Sequence, residues 1–112
     1  MEIRTTARDG ATVVALIGSL DGTSAPEAQG QIMPLITPNG RLVLDMSECQ
    51  YVSSAGLRVL LMIAKLLTSK KGRGALAGVS TDVMDVMEMT GFAHFFETHD
   101  SVDSAVEALS KE

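Results

Sequence analysis

Two adjacent serines, Ser53 and Ser54, stand where a short aliphatic run gives way to a long helical pattern, in the order Tyr51-Val52-Ser53-Ser54-Ala55-Gly56-Leu57. Serine chemistry at a strand-to-helix junction suggests a hydrolase first. A nucleophile elbow needs Gly-x-Ser-x-Gly, because glycines permit the tight turn that exposes the hydroxyl. Gly56 satisfies the trailing position, but Val52 occupies the leading one. A triad also needs a positioned histidine and acid, and nothing in the spacing ties His94 or His99 to Ser54. The plain physical alternative is that one of the serines caps the helix, its side-chain oxygen accepting a backbone N–H of the first turn.

The remaining reactive types support no enzyme either. Gly72-Arg73-Gly74-Ala75-Leu76-Ala77 imitates a dinucleotide fingerprint. It follows a helical pattern and opens a strand, the reverse of what phosphate binding requires. There is no Walker loop. His94 and His99 lack metal-ligand spacing, and the single Cys49 adds no metal geometry and can form no disulfide within the chain. The seven methionines fit core packing better than a cofactor box. No catalytic residue, cofactor or metal is expected, and the chain is read as a non-enzyme.

Composition narrows the class further. With 112 residues the chain suits one domain, 1–112, and with 46% hydrophobic residues but only 4% aromatics and no Trp its core must be aliphatic. A net charge of -5 argues against nucleic acid as a direct partner, since such binding rests on displaced counterions. The one basic cluster, Lys70, Lys71 and Arg73, is what a helix C-terminus favours. The N-terminal residues alternate in polarity and lack the apolar stretch of a signal peptide. Val59 to Leu67 is too short to span a bilayer and is broken by Lys65. A monomeric, cytoplasmic protein without membrane contact is expected.

Positioning these residues requires a scaffold, and its elements can be read in order. Ile3, Thr5 and Ala7 alternate with polar neighbours as in a half-exposed strand, and Asp9-Gly10 joins it to the β-branched run Thr12 to Ile17 in a hairpin. Ser24-x-x-Glu27 has capping-box spacing, and Pro34 predicts a kink or end in the helix that follows. Leu42-Val43-Leu44 reads as a strand buried on both faces. A long helix follows from about Ser54 to Lys71, with Gly72 as its stop. Ala75-Leu76-Ala77 is a second buried strand. Ser80 or Thr81 caps a helix with an acidic face of Asp82, Asp85 and Glu88, ended by Gly91. Phe92, Phe95 and Phe96 are assigned to a last short strand. Asp100 can cap a final helix in which Val102, Ala105, Val106 and Leu109 recur at i, i+3, i+4 and i+7. The pattern predicts an α/β fold: a mixed sheet with an N-terminal hairpin and about four covering helices.

Set in this frame, Asp45 to Leu61 resembles the signature of the STAS family, in particular bacterial anti-sigma factor antagonists. Asp45 matches the strand-ending Asp, Tyr51 and Val52 the aromatic and aliphatic pair, Ser54 the phosphorylated serine, and Gly56 and Leu57 the Gly-Leu. Gly18-x-Leu20-Asp21 resembles the family's Gly-x-Leu-Asp turn, and Thr90-Gly91-Phe92 its Thr-Gly-Leu/Phe turn, so the similarity covers nearly the whole chain. Two positions depart from the pattern. Ser53 replaces an acid and is a rival phosphate acceptor, and Ala55 follows Ser54.

The resemblance implies the STAS fold and a partner-switching role in transcription regulation. The unmodified protein binds an anti-sigma factor that is itself a GHKL-type serine kinase, and so releases a sigma factor. Phosphorylation of Ser54 breaks the complex, and a serine phosphatase restores it. The surface expected to read the partner comprises Asp21, Ser53, Ser54, Gly56, Arg58, Leu61, Met62 and Lys65. Ser54, Arg58, Leu61 and Lys65 lie along one helical face, with Met62 beside them and Leu57, Leu60, Ala64 and Leu67 opposite. The alternatives within the fold are a non-switching subunit supporting a lipid-transport ATPase, and a scaffold of a larger signalling assembly.

Overall fold

The computed structural model describes residues 1–111, the side chains of Phe92 and Ala93 excepted. Five strands form one sheet in the order β1-β2-β3-β4-β5. Strand β1 (Glu2–Arg8) pairs antiparallel with β2 (Ala11–Ile17), while β3 (Arg41–Asp45), β4 (Arg73–Ala77) and β5 (Glu97–His99) continue in parallel. Asp9 and Gly10 make the two-residue hairpin turn, both at positive φ (49° and 84°). That conformation matches the twist of the flanking strands. The parallel connections run through α1 (Ala25–Ile32), α2 (Ser54–Ser69) and α3 (Thr81–Thr90), and α4 (Val102–Ser110) ends the fold.

The sheet is covered on both faces by different kinds of side chain. Val14, Leu16, Leu42, Leu44 and Leu76 face the layer of α1, α2 and α3, where Leu57, Leu60, Ile63, Leu67, Ile32 and Met87 meet them. Val13, Val43, Ala75 and Ala77 face α4 and pack with Ala105, Val106 and Leu109. Large side chains thus build the thick core, and small ones let a single helix lie close to the strands. Each fully buried Leu or Ile contributes about 1.5–3 kcal/mol relative to exposure, so the α2 layer supplies most of the stability.

The element order agrees with the sequence pattern, but several local details differ. β1 is largely exposed on both faces, with only Ile3 half-buried near the core, because no helix covers that edge. The capping box at Ser24 does not form: Ser24 has helical φ and ψ, and its hydroxyl donates to Ser19 O at 2.7 Å instead. α1 gives way to a 3-10 turn at Met33–Leu35, as Pro34 demands. α2 ends at Ser69, and Lys71, not Gly72, adopts the left-handed conformation beyond it (φ 59°). The phenylalanines precede β5 and do not form it; Phe96 is buried against the α2 core. Ser101, not Asp100, caps α4, accepting from Ser104 N at 3.1 Å. Arg8 also pairs with Asp103, tying the hairpin to the start of α4.

Candidate functional site

The site lies where β2 and β3 end. Asp45 closes β3 by accepting from Ser47 N at 3.0 Å and Ser47 Oγ at 2.7 Å, which turns the chain out of the sheet. Met46 N still donates to Ala77 O at 2.8 Å, and buried Met46 anchors the connector. Cys49 is buried under it, and burial pushes its thiol pKa up. It packs in the core cluster as a small apolar side chain.

The connector is then sewn to the turn that follows β2. Gly18 N donates to Glu48 O at 3.0 Å, Leu20 N to Tyr51 O at 2.9 Å and Ser53 N to Leu20 O at 2.9 Å. Leu20 and Val52 form a parallel bridge. Asp21, two elements away from Ser54 in sequence, is thereby placed beside the start of α2. Its Oδ1 accepts from Thr23 N at 3.0 Å and Ser24 N at 3.1 Å. The backbone bonds from Ser24 and Thr23 lower its pKa, because they stabilise the carboxylate form. Asp21 therefore fastens the turn that leads into α1, whose N-cap Ser24 makes no side-chain cap bond.

The two serines have separate tasks. Ser53 is extended (φ -81°, ψ 176°) and half-buried, and its Oγ accepts from Gly56 N at 3.2 Å. It is the N-cap. Ser54 is the first residue of α2, is exposed, and its hydroxyl makes no hydrogen bond among the described residues. A free hydroxyl at a helix N-terminus is accessible to a phosphoryl donor, and the helix end can accept the resulting anion.

Gly56 is buried, so it acts by packing. A Cβ there would lie 2.5 Å from Leu20 O and 2.9 Å from Val52 Cγ1. Only glycine lets the first turn of α2 lie directly on the Leu20 backbone. Arg58, Met62 and Lys65 are exposed, Leu61 is half-buried, and Leu57, Leu60, Ala64 and Leu67 are buried, which is the facial division read from the spacing. Ser54, Arg58, Leu61, Met62 and Lys65 form one outward surface of α2, with Asp21 beside its start.

Sequence reasoning missed the apolar neighbour of this surface. Tyr51 is 56% exposed and Val86 39% exposed. With Gln50, Val52, Asp82 and Val83 they line a shallow cavity of about 80 Å³ between the connector and α3. The one signal available was Val86 itself, an aliphatic residue four places after Asp82 on a helix face read as acidic. His94 is exposed and His99 half-buried, and no cluster of metal-ligating side chains occurs among the described residues. No described helix is long and apolar enough to cross a membrane.

Comparison with known proteins agrees with this geometry. The STAS domain profile matches residues 2–105. BtrV of Bordetella bronchiseptica, described as a candidate anti-sigma factor antagonist, is 31% identical over 102 residues, covering 90% of this chain and 88% of the relative. The anti-sigma F factor antagonist of Paenibacillus polymyxa is 28% identical over 102 residues, 89% of this chain and 87% of that one. The fold superposes on the unphosphorylated form of the anti-sigma factor antagonist SpoIIAA with a TM-score of 0.81 at 17% identity, covering 97% and 96% of the two chains. It also superposes on the phosphorylated form of SpoIIAA, a Bacillus cell fate determinant, with a TM-score of 0.74 at 16% identity, covering 96% and 98%.

Proposed function

This chain belongs to the STAS domain family, and on that footing we propose that it is an anti-sigma factor antagonist switched by phosphorylation of Ser54. Unphosphorylated, it binds an anti-sigma factor with serine-kinase activity and so frees a sigma factor. Phosphorylated, it lets go, until a serine phosphatase resets it. It acts as substrate and decoy rather than catalyst, in the bacterial cytoplasm. The observation that carries this reading is the unpartnered, exposed hydroxyl of Ser54 at the N-terminus of α2, beside an exposed surface of mixed apolar and basic side chains.

The geometry supports the switch in physical terms. A phosphoryl group adds about -1.5 to -2 charge at pH 7. The free protein accommodates it. No partner is seen for the amides of Ser54 and Ala55 among the described residues, and a helix N-terminus stabilises an anion by about 0.3–1 kcal/mol. A partner packed over a neutral Ser54 must instead desolvate a dianion, at about 2–5 kcal/mol. That is about 30- to several-thousand-fold in affinity. Charge alone therefore separates the partners while the fold stays as it is. Ser53 is the poorer acceptor, because its oxygen already caps Gly56 N and modification would uncap the helix.

The test begins with the partner recovered from the native cell by pull-down. Incubation with that kinase and ATP, then peptide mass spectrometry, should place one phosphate on Ser54 and none on Ser54→Ala. In titration calorimetry Ser54→Ala should bind as the wild type does and Ser54→Asp more weakly. Phosphate on Ser53, or equal affinity for both variants, would overturn the assignment.

A further inference from the structure

The opposite end of the sheet holds the other concentration of charge. Arg41 and Arg73 open β3 and β4 and are register partners across the parallel ladder. They share strand parity with Val43 and Ala75, so both leave the sheet on the face that α4 covers. Lys71 and Lys111 line the same cavity, about 530 Å³, with Asn39 beside them. In a chain of net charge -5, four of the nine Lys and Arg side chains (Arg41, Lys71, Arg73 and Lys111) surround one hollow. Like charges directly opposite on neighbouring strands repel, so this grouping opposes folding unless something offsets it.

Internal partners offset only part of it. Arg73 is engaged: Nη2 donates to Glu97 Oε2 at 2.7 Å and Nη1 to Lys111 O at 2.6 Å, which fastens the end of α4. Lys111 has one long, exposed pair with Glu107 at 3.7 Å. Arg41 and Lys71 have no side-chain hydrogen bond or ion pair among the described residues. Lys71 moreover occupies the left-handed position past α2 (φ 59°), next to Asn39 in the same conformation (φ 59°). Glycine is the residue favoured at such a position. Lys71 stands there instead, and it places an ammonium at the cavity.

We propose that this hollow binds a small, multiply charged phosphate anion, with Arg41 and Lys71 as its charged contacts and Asn39 as a neutral donor. A guanidinium fork beside a mobile ammonium suits phosphate oxygens. The volume, about 530 Å³, lies within the range of small-molecule sites and leaves room for a second phosphate or an esterified group. The overall negative charge of the chain disfavours a long polyanion and selects a short one. The site stands at the far ends of the strands from Ser54 and does not depend on the switch.

Calorimetric titration of the full chain with inorganic pyrophosphate at low salt tests a free anion. Co-sedimentation with phosphatidylcholine vesicles containing phosphatidic acid tests a lipid headgroup. Saturable binding to either probe is expected, weakening with salt and falling about ten-fold in Arg41→Gln and in Lys71→Gly. Lys71→Gly should melt no lower than the wild type, because glycine relieves the left-handed backbone, so its lost binding could not be blamed on unfolding. Binding to pyrophosphate would identify a soluble ligand, and binding to vesicles alone a headgroup. No binding to either probe, or binding undiminished in both variants, would overturn the proposal.

Discussion

Where β2 and β3 end, the chain is knitted by backbone bonds: Gly18 to Glu48, Leu20 to Tyr51, Ser53 to Leu20. Charge there is held by local bonds, as Asp21 is by the amides of Thr23 and Ser24. Where β3 and β4 begin, the arrangement is reversed. Arg41 faces Arg73 across the ladder, Lys71 sits in a left-handed backbone, and two of the cations find no partner among the described residues. At the first end the backbone is locally satisfied and Ser54 presents its hydroxyl; at the second, two cations of the cavity wall are left without a partner among the described residues. A modification at the first end should change a surface without changing the fold. A ligand at the second should relieve repulsion and so stabilise the fold.

The largest effect that could overturn this contrast lies at Gly56. Glycine to alanine inside a helix ordinarily gains about 1 kcal/mol. Here the added Cβ would meet Leu20 O at 2.5 Å, a backbone atom that cannot swing aside. Gly56→Ala is therefore expected to lose about 1–3 kcal/mol in urea unfolding. A neutral or stabilising result would mean that the knitted end is looser than its hydrogen bonds imply.

The paired serines resolve the knitted end at a finer scale. Ser53→Ala removes the cap on Gly56 N and should cost about 1 kcal/mol, whereas Ser54→Ala should change stability by no more than about 0.5 kcal/mol. Thermal melts of the two variants side by side decide it. Equal losses would show that Ser54 is structural.

On the outward face of α2, Arg58→Glu and Lys65→Glu should weaken partner binding yet shift stability by only about 0–1 kcal/mol, as exposed charges do. Affinity and melting temperature measured on the same samples separate the roles. Unchanged affinity would move the docking surface towards Asp21 or the Tyr51–Val86 patch.

The smallest effect expected is a pH dependence at Asp21. Its folded-state pKa is lowered from 3.8. The stability it contributes is therefore present above that value and disappears as pH falls through the folded pKa. The gap in melting temperature between the wild type and Asp21→Asn should be constant near neutrality and close below about pH 3.8. A gap that persisted in stronger acid would mean that the carboxylate's charge is not what holds the turn.

Much of this molecule is legible in its sequence. The order of elements, the two-faced α2, the buried β3 and β4 and the Ser53–Ser54 junction all follow from periodicity and turn residues, because those patterns report on neighbours within four or five positions. Caps are less legible for the same reason: Ser24 and Asp100 have suitable types, but Ser24 turns its hydroxyl to Ser19 O, and Ser101 takes the first-turn amide of α4. The features that waited on the folded chain join residues about thirty or more apart in sequence. The parallel register of β2, β3 and β4 brings Leu20 against Gly56, leaves Tyr51 beside Val86, and sets Arg41 next to Arg73. Local pattern cannot specify such pairs, since the register is set by burying β2, β3 and β4 between two helical layers at once.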